Sequence, residues 1–283
     1  MSGPPLTEPR LADEAFLADL AAATVAPDVL HLWWLGQSGF LVSAGGARLV
    51  LDPYLSDTLT AKYARTDRPH VRMARRVVAP ESLSGVSVVT STHGHTDHLD
   101  GATLNPLLAA NPHAALVVAQ ATRHLVSERL QSPSARLVGM DAGQTEHCGA
   151  ATITAVAAAH DTLETDEHGH HKYLGYVIRI GPFTLYHSGD TLAYDGLAAQ
   201  LRRFAIDLAL LPINGKLGNM DGAAAAQLAH DAGVRLVVPC HYGMFAFNTA
   251  DPDELFVPAC ERLGQKYHVL QGGARLTLGG KAG

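Results

Sequence analysis

"VSVVTSTHGHTDHLDG", residues 86–101, joins an apolar run to a loop that holds His93, His95 and His98 together with Asp97 and Asp100. The β-formers of residues 86–92 read as a buried strand, so the histidine-rich loop begins at a strand's carboxyl end. Histidines two apart on an extended or turning backbone can converge on one ion. The Asp97–His98 pair just after them can reach a second ion beside it. A polar loop that merely happens to be rich in histidine is the plain alternative, and the spacing speaks against it.

One loop cannot fill a two-metal site, and three further elements offer donors in the same way, as polar residues at the ends of apolar strands. They are His160 after "ATITAVAAA", Asp190 in "FTLYHSGD" and His241 in "RLVVPCHYG". A carboxylate can span two cations whereas a neutral imidazole cannot, so an aspartate among these residues can serve two ions at once. Imidazole and carboxylate without thiolate permit Zn, Mn or Fe.

Outward from these strand ends, "RLADEAFLADLAAAT", residues 10–24, carries apolar side chains at helical spacing. "VLHLWWLG", "GFLVSA" and "ARLVLD" then read as three strands in a meander broken by "GQSG" and "GG". Residues 102–138 read as helix, strand "ALVVA", a helix from about Thr122, and strand "ARLVG". The second half repeats this logic. "ATITAVAAA" is a strand, "KYLGYVIRI" and "FTLYHSGD" form a hairpin, and helices around "YDGLAAQLRRF" and "DGAAAAQLAHDAG" precede "DLALLPI" and "RLVVPCHYG" in turn. The helix "DPDELFVPACERLG" and strands "YHVLQ" and "ARLTLG" close the chain. Two mixed sheets packed face to face with helices outside are expected, an αββα sandwich of class α/β. No linker divides the halves, so a single domain over residues 1–283 is expected, with the first helix as an extension.

The four donor-bearing elements, in this order, resemble the metallo-β-lactamase superfamily over nearly the whole chain. "WWLGQSGF", "LDPYLSD", "HHKYLGYVI", "LYHSGDT", "LLPING" and "PCHYGMFAFNT" are similar to its ascorbate 6-phosphate lactonase-like branch, although that pattern has an acidic residue where Gly243 stands. The resemblance implies a hydrolase of a sugar-derived, phosphorylated lactone, working in the cytoplasm. It assigns His93, His95 and His160 to a first metal, Asp97, His98 and His241 to a second, and Asp190 to both. Its cofactors are two divalent ions, with manganese associated with the branch and zinc or iron compatible with the donors. Metal-activated water would attack the lactone carbonyl while Asp97 shuttles the proton.

Composition narrows the alternatives. The chain has 283 residues, 47% hydrophobic and 17% charged, a soluble globular profile. No apolar run approaches the roughly 20 residues of a membrane span, and "MSGPPLTEPRLADEAF" lacks the features of a secretion signal. A cytoplasmic enzyme that does not engage membranes is expected. The net charge of −6 argues against nucleic acid as a partner, although "RTDRPHVRMARR" gathers five arginines in a loop that is either solvated or faces a small anion. A small molecule is the expected partner, and a homo-oligomer is compatible with the residues. Cys148, Cys240 and Cys260 form neither a disulfide framework nor a CxxC pair. Cys240 should face away from the metals if its neighbour His241 faces them.

Beyond the ligands, Asp52 can accept the second N–H of a metal-bound imidazole or simply begin a turn, and His187 can orient a ligand or lie in the core. The loop "LPINGKLGNM" offers Asn214, Lys216 and Asn219 to a polar substrate, or is only a connection. Gln37 and Ser38 are expected at the rim. Tyr242, Phe245 and Phe247 wall the pocket or pack. Of the remaining histidines, His171 is a candidate substrate contact and His168 and His170 are expected in solvent. The same fold supports a phosphodiesterase of phospholipase-like or nuclease-like type, and from a different class a non-catalytic metal-binding regulator.

Overall fold

Along β1 (Val29–Gly36), Leu30, Leu32 and Trp34 face one hydrophobic cluster while Trp33 and Leu35 face another, and all five are buried. A strand apolar on both faces belongs in the middle of a layered structure. The computed structural model describes residues 6–131 and 136–279. After β1 come β2 (Gly39–Ala44), β3 (Ala47–Leu51), β4 (Val86–Ser91), β5 (Ala115–Ala119) and β6 (Arg136–Met140). The later strands are β7 (Thr145–Cys148), β8 (Ala151–Ala157), β9 (Leu174–Ile180), β10 (Phe183–His187), β11 (Leu208–Pro212), β12 (Leu236–Cys240) and β13 (Arg275–Gly279). One sheet has the order β13-β1-β2-β3-β4-β5-β6 and the other β12-β11-β10-β9-β8-β7. Both are mixed: the meander and hairpins pair antiparallel, whereas β3 to β6 and β10 to β12 run parallel.

The inner faces of the two sheets share one cluster, in which Leu32, Phe40 and Leu49 meet Ile153, Tyr176 and Leu185. On the outer face of the first sheet, Phe16 and Leu20 of α1 (Asp13–Ala22), Leu104 and Leu107 of α3 (Gly101–Ala110) and Val126 of α4 (Arg123–Arg129) cover Trp33, Val50 and Val89. Each such side chain contributes about 1.5–3 kcal/mol on burial. The second sheet is covered by α5 (Leu197–Arg202), α6 (Gly222–Asp231) and α7 (Phe256–Leu263), with Leu201, Ala225 and Phe256 buried against it. The layers are helix, sheet, sheet, helix, as expected. None of the described helices is long and apolar enough to cross a membrane.

Three differences from the sequence reading concern weak patterns. β7, "TEHC", is a mostly polar edge strand that shows no apolar run to notice. The short α2 (Thr58–Tyr63) precedes the arginine-rich loop and contributes only Leu59 to the interior. "YHVLQ" is not a strand. Tyr267 makes one bridge to Val237, and the chain then crosses from the edge of the second sheet to that of the first, where Gly273 donates to Trp34 O. The strand expected over residues 135–139 is found as Arg136–Met140, with residue 135 outside the described residues.

Candidate metal centre

The carboxyl ends of β3, β4, β8, β10 and β12 meet at one rim of the sandwich and bring Asp52, the 93–98 loop, His160, Asp190 and His241 together. Asp100 fixes where the loop stops: its side chain accepts from the N–H groups of Ala102 and Thr103 and caps α3. Arg129, at the end of α4, donates to Gly94 O at 2.7 Å and Leu99 O at 3.0 Å, clamping the loop from behind. Two glycines permit the close approach of the other elements. A Cβ on Gly189 (φ +59) would stand 2.7 Å from Thr92, and one on Gly218 (φ +77) would stand 2.6 Å from His160 Nδ1.

All seven expected ligands converge. His95, His160 and Asp190 form one group whose donor atoms lie within 4.8 Å of one another, Asp97, His98 and His241 form a second, and His93, His98 and Asp190 a third. Asp190 joins the sets, its Oδ1 lying 3.2 Å from His98 Nε2 and its Oδ2 3.4 Å from His241 Nε2 and 4.0 Å from His93 Nε2. His93 Nε2 is also 3.0 Å from His95 Nδ1. His98 Nε2 and Asp190 Oδ1 are buried without a hydrogen-bond partner among the described residues. Such orphaned donors, converging in an imidazole and carboxylate set without thiolate, fit hard or borderline divalent cations.

Beneath the ligands, Asp52 is fully buried and accepts from Thr90 Oγ1 at 2.9 Å, Thr92 N at 3.1 Å, Thr92 Oγ1 and His98 Nδ1, the last at 2.7 Å. An ionised carboxylate only accepts, so His98 donates Nδ1–H and keeps Nε2 free for the centre. His187 stands on the far side of Asp52, with Nδ1 at 4.0 Å from it and Nε2 at 2.9 Å from Ser38 O.

Charge follows this geometry. Burial acts to raise the Asp52 carboxyl, but His187 and His98 outweigh it and hold it below its usual range. Burial opposes ionisation of Asp97 and Asp190 too, yet His98 and His241 hold both well below ordinary carboxylates. Against its own burial, His241 is lifted to about 9, first by Asp190, and His98 is lifted well above the ordinary value by Asp190 and Asp97. His93, with burial and the neighbouring His98 dominant, is pushed well down.

Above the cluster lies a cavity of about 470 Å³ whose floor is His95, Asp97, His160, Asp190 and His241. Tyr63, His70, Phe245 and Phe247 build one wall, with the His70 ring 4.2 Å from Tyr63 and 4.6 Å from Phe247. Lys62 and Arg68 stand at the lip, and Asn219 and Asn248 at the side. Asn219 Oδ1 accepts from Thr191 N at 2.9 Å, tying the 214–220 loop to the residue after Asp190.

Four residues expected to touch substrate are not brought to this cavity. Asn214 is buried and donates to Asn248 Oδ1 and Lys216 O. Lys216 reaches back to Phe247 O, and the His171 Nδ1 stands 2.8 Å from Asp141 Oδ1. Tyr242 turns inward, stacks on Trp34 with ring centroids 4.5 Å apart and donates to Leu270 O, because its ring is large and apolar enough to be held by the core. Gln37, expected at the rim, is instead fully buried under the ligands, its Nε2 2.8 Å from Asp97 Oδ2. Cys240 is buried in the core, and burial followed by the nearby Asp190 charge raises its thiol well above the ordinary value. Within the arginine-rich loop, Arg72 is structural, donating to Ser56 O, Ala74 O and Asp57, whereas Arg68 reaches the cavity. Gly243, at φ +66, sits where a side chain would be strained.

Sequence reasoning did not single out Tyr173, whose ring stacks on His160 at 4.7 Å and 11° and lies 5.1 Å from His93. Nor did it find Thr92 or Arg129, since neither residue type at those positions carries a signal of its own.

The family model described as "Beta-lactamase superfamily domain" matches residues 47–242. By fold the chain is similar to Igni18, a metallo hydrolase of Ignicoccus hospitalis, with a TM-score of 0.66 at 23% identity over 89% of this chain and 100% of that one. It is also similar to the metallo-beta-lactamase fold protein YhfI of Bacillus subtilis, with a TM-score of 0.64 at 17% identity, covering 89% and 100%. A UPF0173 metal-dependent hydrolase of Myxococcus xanthus is 33% identical over 247 residues, 83% of this chain and 80% of that protein. The chain belongs to the metallo-β-lactamase superfamily, among its UPF0173 metal-dependent hydrolases.

Proposed function

We propose that this metal-dependent hydrolase is a cytoplasmic lactonase that opens a small sugar-derived lactone, with or without a phosphate. The observation that carries the reading is the placement of Asp97, an ionised carboxylate at the floor of a small cavity and against the ligand cluster. His93, His95, His160 and Asp190 would hold one divalent cation, and Asp97, His98 and His241, with Asp190 shared, the other. Two such cations, manganese or zinc with iron also compatible, would supply Lewis acidity and make water a nucleophile near neutral pH.

The protein's own residues supply the rest. Asp97 is placed to take a proton from water at the cavity floor and return it to the alkoxide of the opened ring, which stays attached and needs no exit. Asp52 keeps the His98 imidazole in one tautomer and orientation. The aromatic wall of Tyr63, His70, Phe245 and Phe247 keeps bulk water off one side of the substrate. Lys62 and Arg68 favour an anionic group at the lip. The cavity volume suits a small molecule better than a polymer.

The test is a hydrolase panel on metal-stripped protein reloaded with Mn, Zn or Fe, covering lactones with and without phosphate and phosphodiesters. About two metal equivalents and lactone opening are expected. Cleavage of phosphodiesters alone would move the activity to phosphorus, metal binding without turnover of any member would favour a regulator, and full activity after stripping would end the reading.

A further inference from the structure

Gln37 sits in the turn between β1 and β2 with φ +51, a left-handed conformation uncommon for a residue with a side chain. Two bonds hold it there: its carbonyl accepts from Trp34 Nε1 and from His241 N, both at 3.0 Å. The side chain is therefore delivered to one place, beneath the second ligand group. Its Nε2 stands 2.8 Å from Asp97 Oδ2 and 3.0 Å from His241 Nε2, and its Oε1 is buried without a hydrogen-bond partner among the described residues.

That arrangement changes once His241 holds a cation, because Nε2 cannot ligate and accept a hydrogen bond together. Divalent cations hold oxygen and nitrogen donors at about 2.1 Å, so donors on adjacent corners of an octahedron are about 3.0 Å apart. The end of the Gln37 amide already lies at that spacing from two of the three donors. A half-turn about the Cγ–Cδ bond exchanges Nε2 and Oε1 without disturbing the backbone. We propose that Gln37 is a further oxygen ligand of the second cation, through Oε1. The inference rests on the two-cation reading of the site. It gives the unpartnered oxygen a use and adds a neutral hard donor beside two carboxylates, Asp97 and Asp190.

Metal-stripped wild type, Gln37→Leu and Gln37→Glu are titrated with Mn(II) and with Zn(II) against a competing chelator, and thermal unfolding of the stripped forms confirms that each is folded. Gln37→Leu is expected to bind the second equivalent at least tenfold more weakly with the first unchanged. Gln37→Glu, which keeps an oxygen at the same reach, is expected to bind it at least as tightly as wild type. A residue that serves only as a donor to Asp97 gives the opposite result for glutamate, because two carboxylates would then repel, and that weakening would overturn the proposal. So would an unchanged second affinity in Gln37→Leu. If wild type takes up fewer than two cations, the two-cation reading fails and this proposal with it; if wild type takes up two and Gln37→Leu is unchanged, only the role of Gln37 fails.

Discussion

Residues 93–98 and residues 160–171 are both rich in histidine, with three in the first segment and four in the second. In the first, every histidine joins the cluster. In the second only His160 does, while His171 stands against Asp141 and His168 and His170 lie in a loop around Asp166. The difference lies in what fixes the backbone. Residues 93–98 are held between the end of a central strand, the cap of α3 and the Arg129 clamp, so their side chains have one direction to take. Beyond His160 the chain leaves the sheet and returns only at β9, and the side chains there answer to local partners.

The sharpest way to break this contrast is to remove the group common to both halves of the centre. Asp190→Ala takes away the carboxylate grouped with His95 of the first segment and His160 of the second, and leaves His98 and His241 facing each other without it. Uptake of both cations and all hydrolysis should be lost, read by metal analysis and turnover, with the fold retained by circular dichroism; His95→Ala should do the same. A next-smaller effect is expected beneath the first segment. Asp52→Ala frees the His98 ring to turn and should weaken metal binding about 10- to 100-fold. Chelator competition measures this, and unaltered affinity would show that the strand end alone orients His98.

How much of this was legible in the sequence depended on periodicity. Layering could be read because β1, β4 and β9 are apolar on both faces, and the ligands could be read because they follow the ends of the apolar runs of β4, β8, β10 and β12. β7 and α2 were hidden, one being a polar edge and the other a single exposed turn and a half. Ligand spacing is a local property and survives in one dimension, whereas the choice of which loop folds over the cavity depends on tertiary contacts. That is why Asn214, Lys216, His171 and Tyr242 pointed to substrate in the sequence yet spend their polar atoms elsewhere. It is also why Lys62 and Tyr63 line the cavity without any motif to announce them, beside Arg68 and His70 of the arginine-rich loop.

Tyr173 links the two segments and offers a smaller, graded test. Two residues beyond the second segment, its ring stacks on His160 and leans on His93, so it packs against one ligand from each segment. An aromatic pair of this kind is worth about 0.5–1.5 kcal/mol, so Tyr173→Ala should weaken the first cation by roughly 2- to 10-fold while Tyr173→Phe leaves it unchanged. Equal losses in both variants would assign the effect to the hydroxyl instead of the ring.

The smallest effect is expected where the histidines are densest. His168 is largely exposed, its side chain retaining 70% of its accessible surface, and its nearest acid is the equally open Glu167 at 3.6 Å. The His170 ring stands 3.4 Å from Asp166, which accepts from the backbone N–H groups of His168 and His170 and holds the turn without either imidazole. An exposed pair of this kind contributes little, because solvent screens it. His168→Ala and His170→Ala, singly or together, should therefore leave metal stoichiometry and turnover unchanged and move the unfolding midpoint by no more than a degree or two. A lost metal equivalent in the double variant would mean that the loop closes over the centre in solution and that clustering in sequence had carried the information after all.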